Sequence, residues 1–314
     1  MAIDRTKGWD MQMRAMGPGA GWRWMMQGIN LGRNNPKAIF GGAALLLLVA
    51  LVPTFVQLVA QLGLKMTSMT AMLGLAGFSL LFSLLVMPPV LGGYLRVIDA
   101  SENGRATRST AIFDTFKAGQ GAPRMIALAV VMAVIAIAVF GAIFAIFGPG
   151  IFSWYMQVLS SQAAGGATPA TLPELPAGFG TVVGLSILFG LFFQGAYAVA
   201  FGQVALTERG VGGAMSDGFV GALKNLLPLL VLLVIWLVFA LILVLVVGLL
   251  VALLGVIGAL VHPAMAVVLA APVYLAFILI LYVVIFGVMY HVWRDVAGGE
   301  SARSDGGNNN VVAA

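Results

Sequence analysis

Residues Leu226–Leu254 read LLPLLVLLVIWLVFALILVLVVGLLVALL and contain no charged side chain. A helix needs about 20 predominantly apolar residues to cross the hydrocarbon core of a bilayer. Because water does not tolerate a helix that is apolar all round, this stretch predicts a membrane-spanning helix. The apolar sequence can extend to Leu260, so we expect the helix to tilt, or to break near Gly255 and Gly258.

Five further stretches have the same character, and none contains Asp, Glu, Lys or Arg. They cover about residues 38–62, 71–95, 125–147, 179–206 and 264–293. In the whole chain 61% of residues are hydrophobic and only 9% are charged, against roughly 25% charged in soluble domains. The sequence therefore predicts an all-α polytopic membrane helix bundle with six transmembrane helices.

The residues that most catalytic and metal sites require are scarce. The chain has no cysteine, its apolar stretches hold no carboxylate, and the two histidines, His262 and His291, fall at opposite ends of the last stretch. We read both histidines as interfacial residues. An aspartyl, serine–histidine or metal site needs several such groups together. We therefore expect no enzyme activity, no catalytic residue, no cofactor and no metal. The scattered basic residues also argue against nucleic-acid binding.

The distribution of basic residues predicts the orientation of the chain. With six spans, all but one of the 16 Lys and Arg residues lie on the same side of the membrane, and the exception is Lys65. The positive-inside rule then places both termini in the cytoplasm. The first 36 residues lack the apolar core of a signal peptide, so we expect the first span to act as the insertion signal in a bacterial inner membrane. The tail, 299–314, is predicted to be disordered.

Short amphipathic stretches precede three of the spans. Trp22, Met25, Met26 and Ile29 are spaced i, i+3, i+4 and i+7, which is typical of a helix lying in the membrane plane. Similar stripes precede the fifth span (Val211, Ala214, Met215, Gly218, Phe219, Ala222) and, more briefly, the third (Ile112, Phe113, Phe116). We hypothesise that Trp22, Trp24, Met25 and Phe219 anchor these helices to lipid, since tryptophan prefers the head-group level.

Each amphipathic stretch and the two spans after it form one unit. This pattern predicts three parallel repeats, at about 20–98, 105–207 and 210–296, inside a single membrane domain of residues 1–298. A two-span unit returns the chain to its starting side, so the three repeats share one orientation.

Gln194 is the polar residue of greatest interest within the spans. It lies mid-span in the sequence FFQGAYAVAFG, among glycines that allow helices to approach closely. The amide either joins neighbouring helices through a hydrogen bond or is a polar contact for a lipid or small solute. Pro53, the Pro88–Pro89 pair and Pro272 are expected to kink or break their spans. A short helix is also expected in the outer connection, 148–178.

Several motifs resemble those of a family of proteobacterial inner-membrane proteins with no assigned activity. They are GWRWMMQGINLGRNNP (21–36), GGYLRVIDASENGRATRSTAIFDTF (92–116), GALKNLLPLL (221–230) and YHVWRDV (290–296). The resemblance implies six spans and supplies no catalytic residue.

Two classes of function remain open. The first is a membrane-organising or partner-binding protein, and the alternative is a transporter or channel for a neutral or lipidic substrate. The expected partners are membrane lipids, with other membrane proteins or a second copy of the chain as further candidates.

Overall fold

The computed structural model describes residues 13–66, 68–163, 174–207 and 209–298, and the regular structure within these residues is helical throughout. The α-helices are α1 (Ala20–Ile29), α2 (Pro36–Leu58), α3 (Met69–Leu85), α4 (Met87–Glu102), α5 (Ala122–Phe147), α6 (Ile151–Ala163), α7 (Phe179–Leu206), α8 (Val211–Lys224), α9 (Leu226–Val261) and α10 (Pro263–Val296). Six helical segments, with α3 and α4 counted as one, are long and apolar enough to cross a membrane. The predicted all-α polytopic bundle is confirmed, and the chain is a multi-pass membrane protein.

The order of the elements follows the pattern from which the three units are predicted. A short element precedes each pair of spans: α1 before α2 and α3–α4, the 3-10 helix Ser109–Phe116 before α5 and α7, and α8 before α9 and α10. The middle element is therefore a 3-10 helix rather than an α-helix. The predicted short helix of the outer connection is α6. The remainder of that connection, 164–173, and the predicted disordered tail, 299–314, lie outside the described residues.

Prolines and side-chain caps fix where the spans begin. Asn35 accepts a hydrogen bond from the Ala38 backbone N–H at 3.2 Å, and Pro36 follows it in the first turn of α2. His262 caps α10 in the same way, because its Nδ1 accepts from the Ala264 N–H at 3.1 Å. Proline is tolerated in a first turn because its missing N–H has no helical partner there. The expected tight link between the last two spans is thus one residue, His262, which caps α10.

Only one of the expected breaks occurs. The second span is interrupted at Val86, between α3 and α4, immediately before the Pro88–Pro89 pair. Helices α2 and α10 continue through Pro53 and Pro272. Of the two alternatives expected near Gly255 and Gly258, tilt or a break, the break does not occur, because α9 is a single helix to Val261. Gly258 instead lets the next helix approach: a Cβ there would lie 2.5 Å from the Ala266 nitrogen.

One end of the bundle is closely packed, and we call it the basic end. It is the end where α2, α5 and α9 begin and where α4, α7 and α10 finish, with Lys37, Arg124 and Lys224 at the three starts. The largest fully buried aromatic side chains, Trp24, Tyr94, Phe201 and Tyr290, belong to its elements. Towards the opposite end the spans leave their apolar side chains exposed, and α3 has no buried residue at all.

The second spans form the centre of the basic end, and the short elements surround them. Helices α4, α7 and α10 contact one another. Each short element packs mainly on a different unit from its own. The 3-10 helix packs on α2 and α4 of the first unit, α8 packs on α7 of the second, and α1 packs on α9 and α10 of the third. The first unit is thereby joined to the last, and the three units close into a ring.

Candidate functional site

Helix α1 buries a different face from the one predicted. Its buried residues are Ala20, Gly21, Trp24, Met25 and Gly28. The two glycines allow this approach: a Cβ on Gly21 would lie 2.5 Å from the Pro228 carbonyl oxygen, and one on Gly28 would lie 2.9 Å from that of Val284. The lipid-anchoring hypothesis is therefore corrected for Trp24 and Met25, which have no exposed surface. Trp22 is 54% exposed and remains a candidate.

The face of α8 that packs on α7 follows the predicted stripe more closely. Ala214, Gly218 and Ala222 are buried as expected, while Phe219 is half-buried and stacks on Phe192 of α7 with ring centres 5.7 Å apart. Phe219 thus retains some surface and remains a candidate contact for lipid. The apolar pattern did not identify Asp217, which lies on the same buried face.

Three aspartates join separate elements at the basic end, and we call these contacts the aspartate clamps. Asp217 of α8 accepts hydrogen bonds from Arg209 at 2.8 and 3.1 Å and from Gln203 of α7 at 3.1 Å. The Asp99 carboxylate of α4 accepts from the Tyr290 hydroxyl of α10 at 3.0 Å, and Asp295 accepts from the Trp24 indole N–H at 2.9 Å. These acidic side chains therefore hold the ring of elements together.

His291 is a buried residue and not an interfacial one, which corrects the sequence interpretation. It is 1% exposed, and neither ring nitrogen has a hydrogen-bond partner among the described residues. Its Nε2 lies 3.9 Å from the Glu102 carboxylate, which is beyond hydrogen-bonding distance. Gly28 of α1 and Gly287 of α10 pack against each other one turn before His291.

A crevice between α7, α9 and α10 is the candidate functional site. It has a volume of about 430 Å³ and is lined from residues 187–198 of α7, 229–236 of α9 and 285–292 of α10. Most of the lining side chains are apolar, and the polar ones are Gln194, Tyr197 and Trp236. Ile187 is 54% exposed and Gln194 is also exposed, so the crevice opens onto the outer surface of the bundle. Its volume is within the range of small-molecule sites, roughly 300–1,000 Å³.

The Gln194 side-chain amide has no hydrogen-bond partner in the described part of the chain. Tyr197 lies one turn further along α7 and stacks on Phe201 at 5.3 Å. Gly190 lies one turn before Gln194, and a Cβ built on it would meet no atom within 4 Å. The crevice therefore combines unfilled space with an amide that lacks a partner.

Gln194 lies nearer the basic end than its mid-span position in the sequence suggests. Its neighbour Gly195 packs directly against the Leu229 side chain, and Leu229 is in the first turn of α9. Nearly all residues from Gly195 to Ala205 are buried by protein, and Gly202 packs against Trp293. Helix α7 thus continues beyond the level at which α9 begins, and it passes from the open crevice into the packed end between Gln194 and Ala198.

The sequence could not identify the residues that line the crevice together with Gln194. Trp236 and Met289 lie on helices that are apolar on every side, so periodicity does not show which face meets α7. The only local signal is the pair of glycines, Gly190 and Gly195, on either side of the amide.

No family model, no curated protein and no solved structure matches this chain.

Proposed function

We propose that this protein acts without catalysis, by binding lipid in the crevice between α7, α9 and α10 and thereby organising the membrane around it. The observation that carries the proposal is the unpartnered Gln194 amide in a mostly apolar crevice that opens at the bundle surface. A polar group that is removed from water without a hydrogen bond costs free energy. An amphipathic molecule that fills the space and pairs with the amide removes this cost.

Lipid is the ligand class that best fits the site. The lining is mostly apolar, and a lipid can enter sideways from the bilayer without crossing water. Trp22 and Phe219 are then further contacts with the surrounding lipid, as the amphipathic pattern predicts. Other membrane proteins, or a second copy of the chain, are additional partners that such a surface could recruit.

Filling the crevice tests the proposal. In Gly190→Phe the new ring projects into the unfilled space, so the purified protein should carry less tightly bound lipid than the wild type. Gly184→Phe is the matched control, because Gly184 is also on α7, also meets no atom within 4 Å, and does not line the crevice. Bound lipid per protein is measured by mass spectrometry after purification in mild detergent. Equal lipid content in the two variants would contradict the proposal.

A carrier or channel for a neutral or lipidic substrate is the alternative, and the same open crevice favours it. The packing of α7 beyond Gly195 favours a closed-ended binding site over a passage. Proteoliposomes distinguish the two functions. A carrier gives lipid or solute flux above that of protein-free vesicles, and Gly190→Phe lowers that flux.

We also propose that the membrane is a bacterial inner membrane, with the basic end and both termini on the cytoplasmic side. The concentration of Lys and Arg on one side and the motif resemblance to proteobacterial proteins support this proposal.

A further inference from the structure

Going one step beyond the proposed function, on which this rests, we infer that the ligand is a diacyl glycerophospholipid from the leaflet at the basic end. One acyl chain occupies the crevice, and the ester carbonyl of that chain accepts a hydrogen bond from the Gln194 amide. The ester carbonyl distinguishes this ligand from a plain hydrocarbon or an ether lipid.

The level of Gln194 in the bilayer is the first argument. Lys37, Arg124 and Lys224 mark the starts of α2, α5 and α9, so the membrane boundary at this end lies close to those starts. Gly195 packs on Leu229, three residues into α9. At 1.5 Å per residue this is about 5 Å from the start of α9. Phospholipid ester groups lie at this border between head groups and hydrocarbon.

The direction of the crevice is the second argument. From the level of Gln194 the lining continues towards the bilayer centre through Gly190 and Ile187 on α7 and through Trp236 on α9. It is apolar along this length apart from the Trp236 ring nitrogen. On the other side of Gln194 the crevice ends within about one turn: Tyr197 and Ala198 still line it, and α7 is buried from Ala198 to Ala205. A chain that begins at the amide can therefore extend only inwards, as the acyl chain of a lipid from this leaflet does.

The chemistry of the amide is the third argument. A glutamine side chain offers two N–H donors and one carbonyl acceptor. An ester carbonyl can only accept, and it is the acceptor that every acyl chain of a glycerophospholipid carries. Gln194 has no partner among the described residues, so its donors are free to serve the ligand.

Comparing ester with ether lipids tests the inference. The probes are dioleoyl phosphatidylglycerol and its dialkyl ether analogue, which has the same head group and similar chains but no ester carbonyl. We expect the wild type to bind the ester lipid about 2- to 10-fold more tightly, as one net hydrogen bond gives. Binding is measured by competition of the two lipids for the purified protein, with native mass spectrometry as the readout.

Substitution of the amide provides the matched comparison. Gln194→Leu should bind both lipids equally, at the level of the ether lipid in the wild type. Gln57→Leu is the control, since Gln57 is another glutamine within a span, bonds to the Ser79 hydroxyl at 3.3 Å, and does not line the crevice. This control should keep the preference for the ester lipid.

The outcomes separate the inference from the proposed function. If the wild type binds the two lipids equally while Gly190→Phe still reduces binding, the ester contact is overturned and the lipid site stands. If Gly190→Phe has no effect on binding, the lipid site itself is overturned. The wild-type comparison requires no substitution, so a variant that fails to fold does not leave the question open.

Discussion

Trp22 and Trp24 show how neighbouring residues acquire different environments at the basic end. They are two positions apart on α1, yet Trp22 is more than half exposed and Trp24 is fully buried. Trp24 shares its face with Gly21 and Gly28, which let that face approach α9 and α10. The small residues, rather than the large apolar ones, select the packed face, because they bring the backbones close together.

Trp24→Phe is expected to lower the stability of the folded protein. The substitution removes the 2.9 Å hydrogen bond from the indole N–H to the Asp295 carboxylate and leaves space in a buried site. A hydrogen bond to a charged group contributes about 1.5–3 kcal/mol, so we expect a loss of that order. Thermal unfolding of the purified protein measures the change. Trp22→Phe is the control and should have little effect, and an equal loss in both variants would contradict the clamp.

At the scale of elements, glycines decide how the short elements pack. On α8, Gly218 faces α7 so closely that an added Cβ would lie 2.9 Å from the Ala200 Cβ and overlap the Ala196 carbonyl oxygen. Gly212, on the same helix, meets no atom within 4 Å. Both glycines belong to α8, and the neighbouring helix α7 comes close to only one of them.

These two positions give a prediction with an internal control. Gly218→Ala should destabilise the protein by about 1–3 kcal/mol, since α8 must move away from α7 to admit the methyl group. Gly212→Ala should cause no loss, because alanine is the better helix former. Both are measured as shifts in thermal unfolding. If the Gly218 variant is as stable as the Gly212 variant, the close packing of α8 on α7 is wrong.

At the scale of the whole molecule, the short elements close the three units into a ring. Helix α1 is separated from α9 and α10 by most of the chain, yet it packs on both, and the Arg14 N–H donates to the Val296 carbonyl at 3.0 Å. The start of the described chain therefore lies beside its end. Both belong to the basic end, which is consistent with an even number of spans.

The proposed orientation predicts which positions can be labelled from outside. The chain has no cysteine, so a single introduced thiol reports one site. Met66→Cys lies in the exposed turn after α2, at the opposite end, and should react with a membrane-impermeant maleimide in intact spheroplasts. Ser216→Cys, exposed on α8 at the basic end, should react only after permeabilisation. The reverse labelling pattern would show that the orientation is opposite to the one proposed. Labelling of both sites in intact spheroplasts would contradict the six-span arrangement.

The sequence by itself determined that the protein is an all-α membrane bundle with six spans. Long uncharged segments such as Leu226–Leu254 are stable only in the hydrocarbon core of a membrane. Pro36, Pro228 and Pro263 mark where spans begin. These are local properties, because hydrophobicity and backbone restriction belong to each segment alone.

Only the tertiary structure decided which faces of those helices meet. The burial of Trp24 and His291, the aspartate clamps and the surroundings of Gln194 all depend on contacts between distant segments. A helix that is apolar on every side carries no periodic signal for its packed face. In such helices the contacts are set by the shapes of neighbouring side chains, and the absence of a side chain at glycine is as decisive as the presence of a large one.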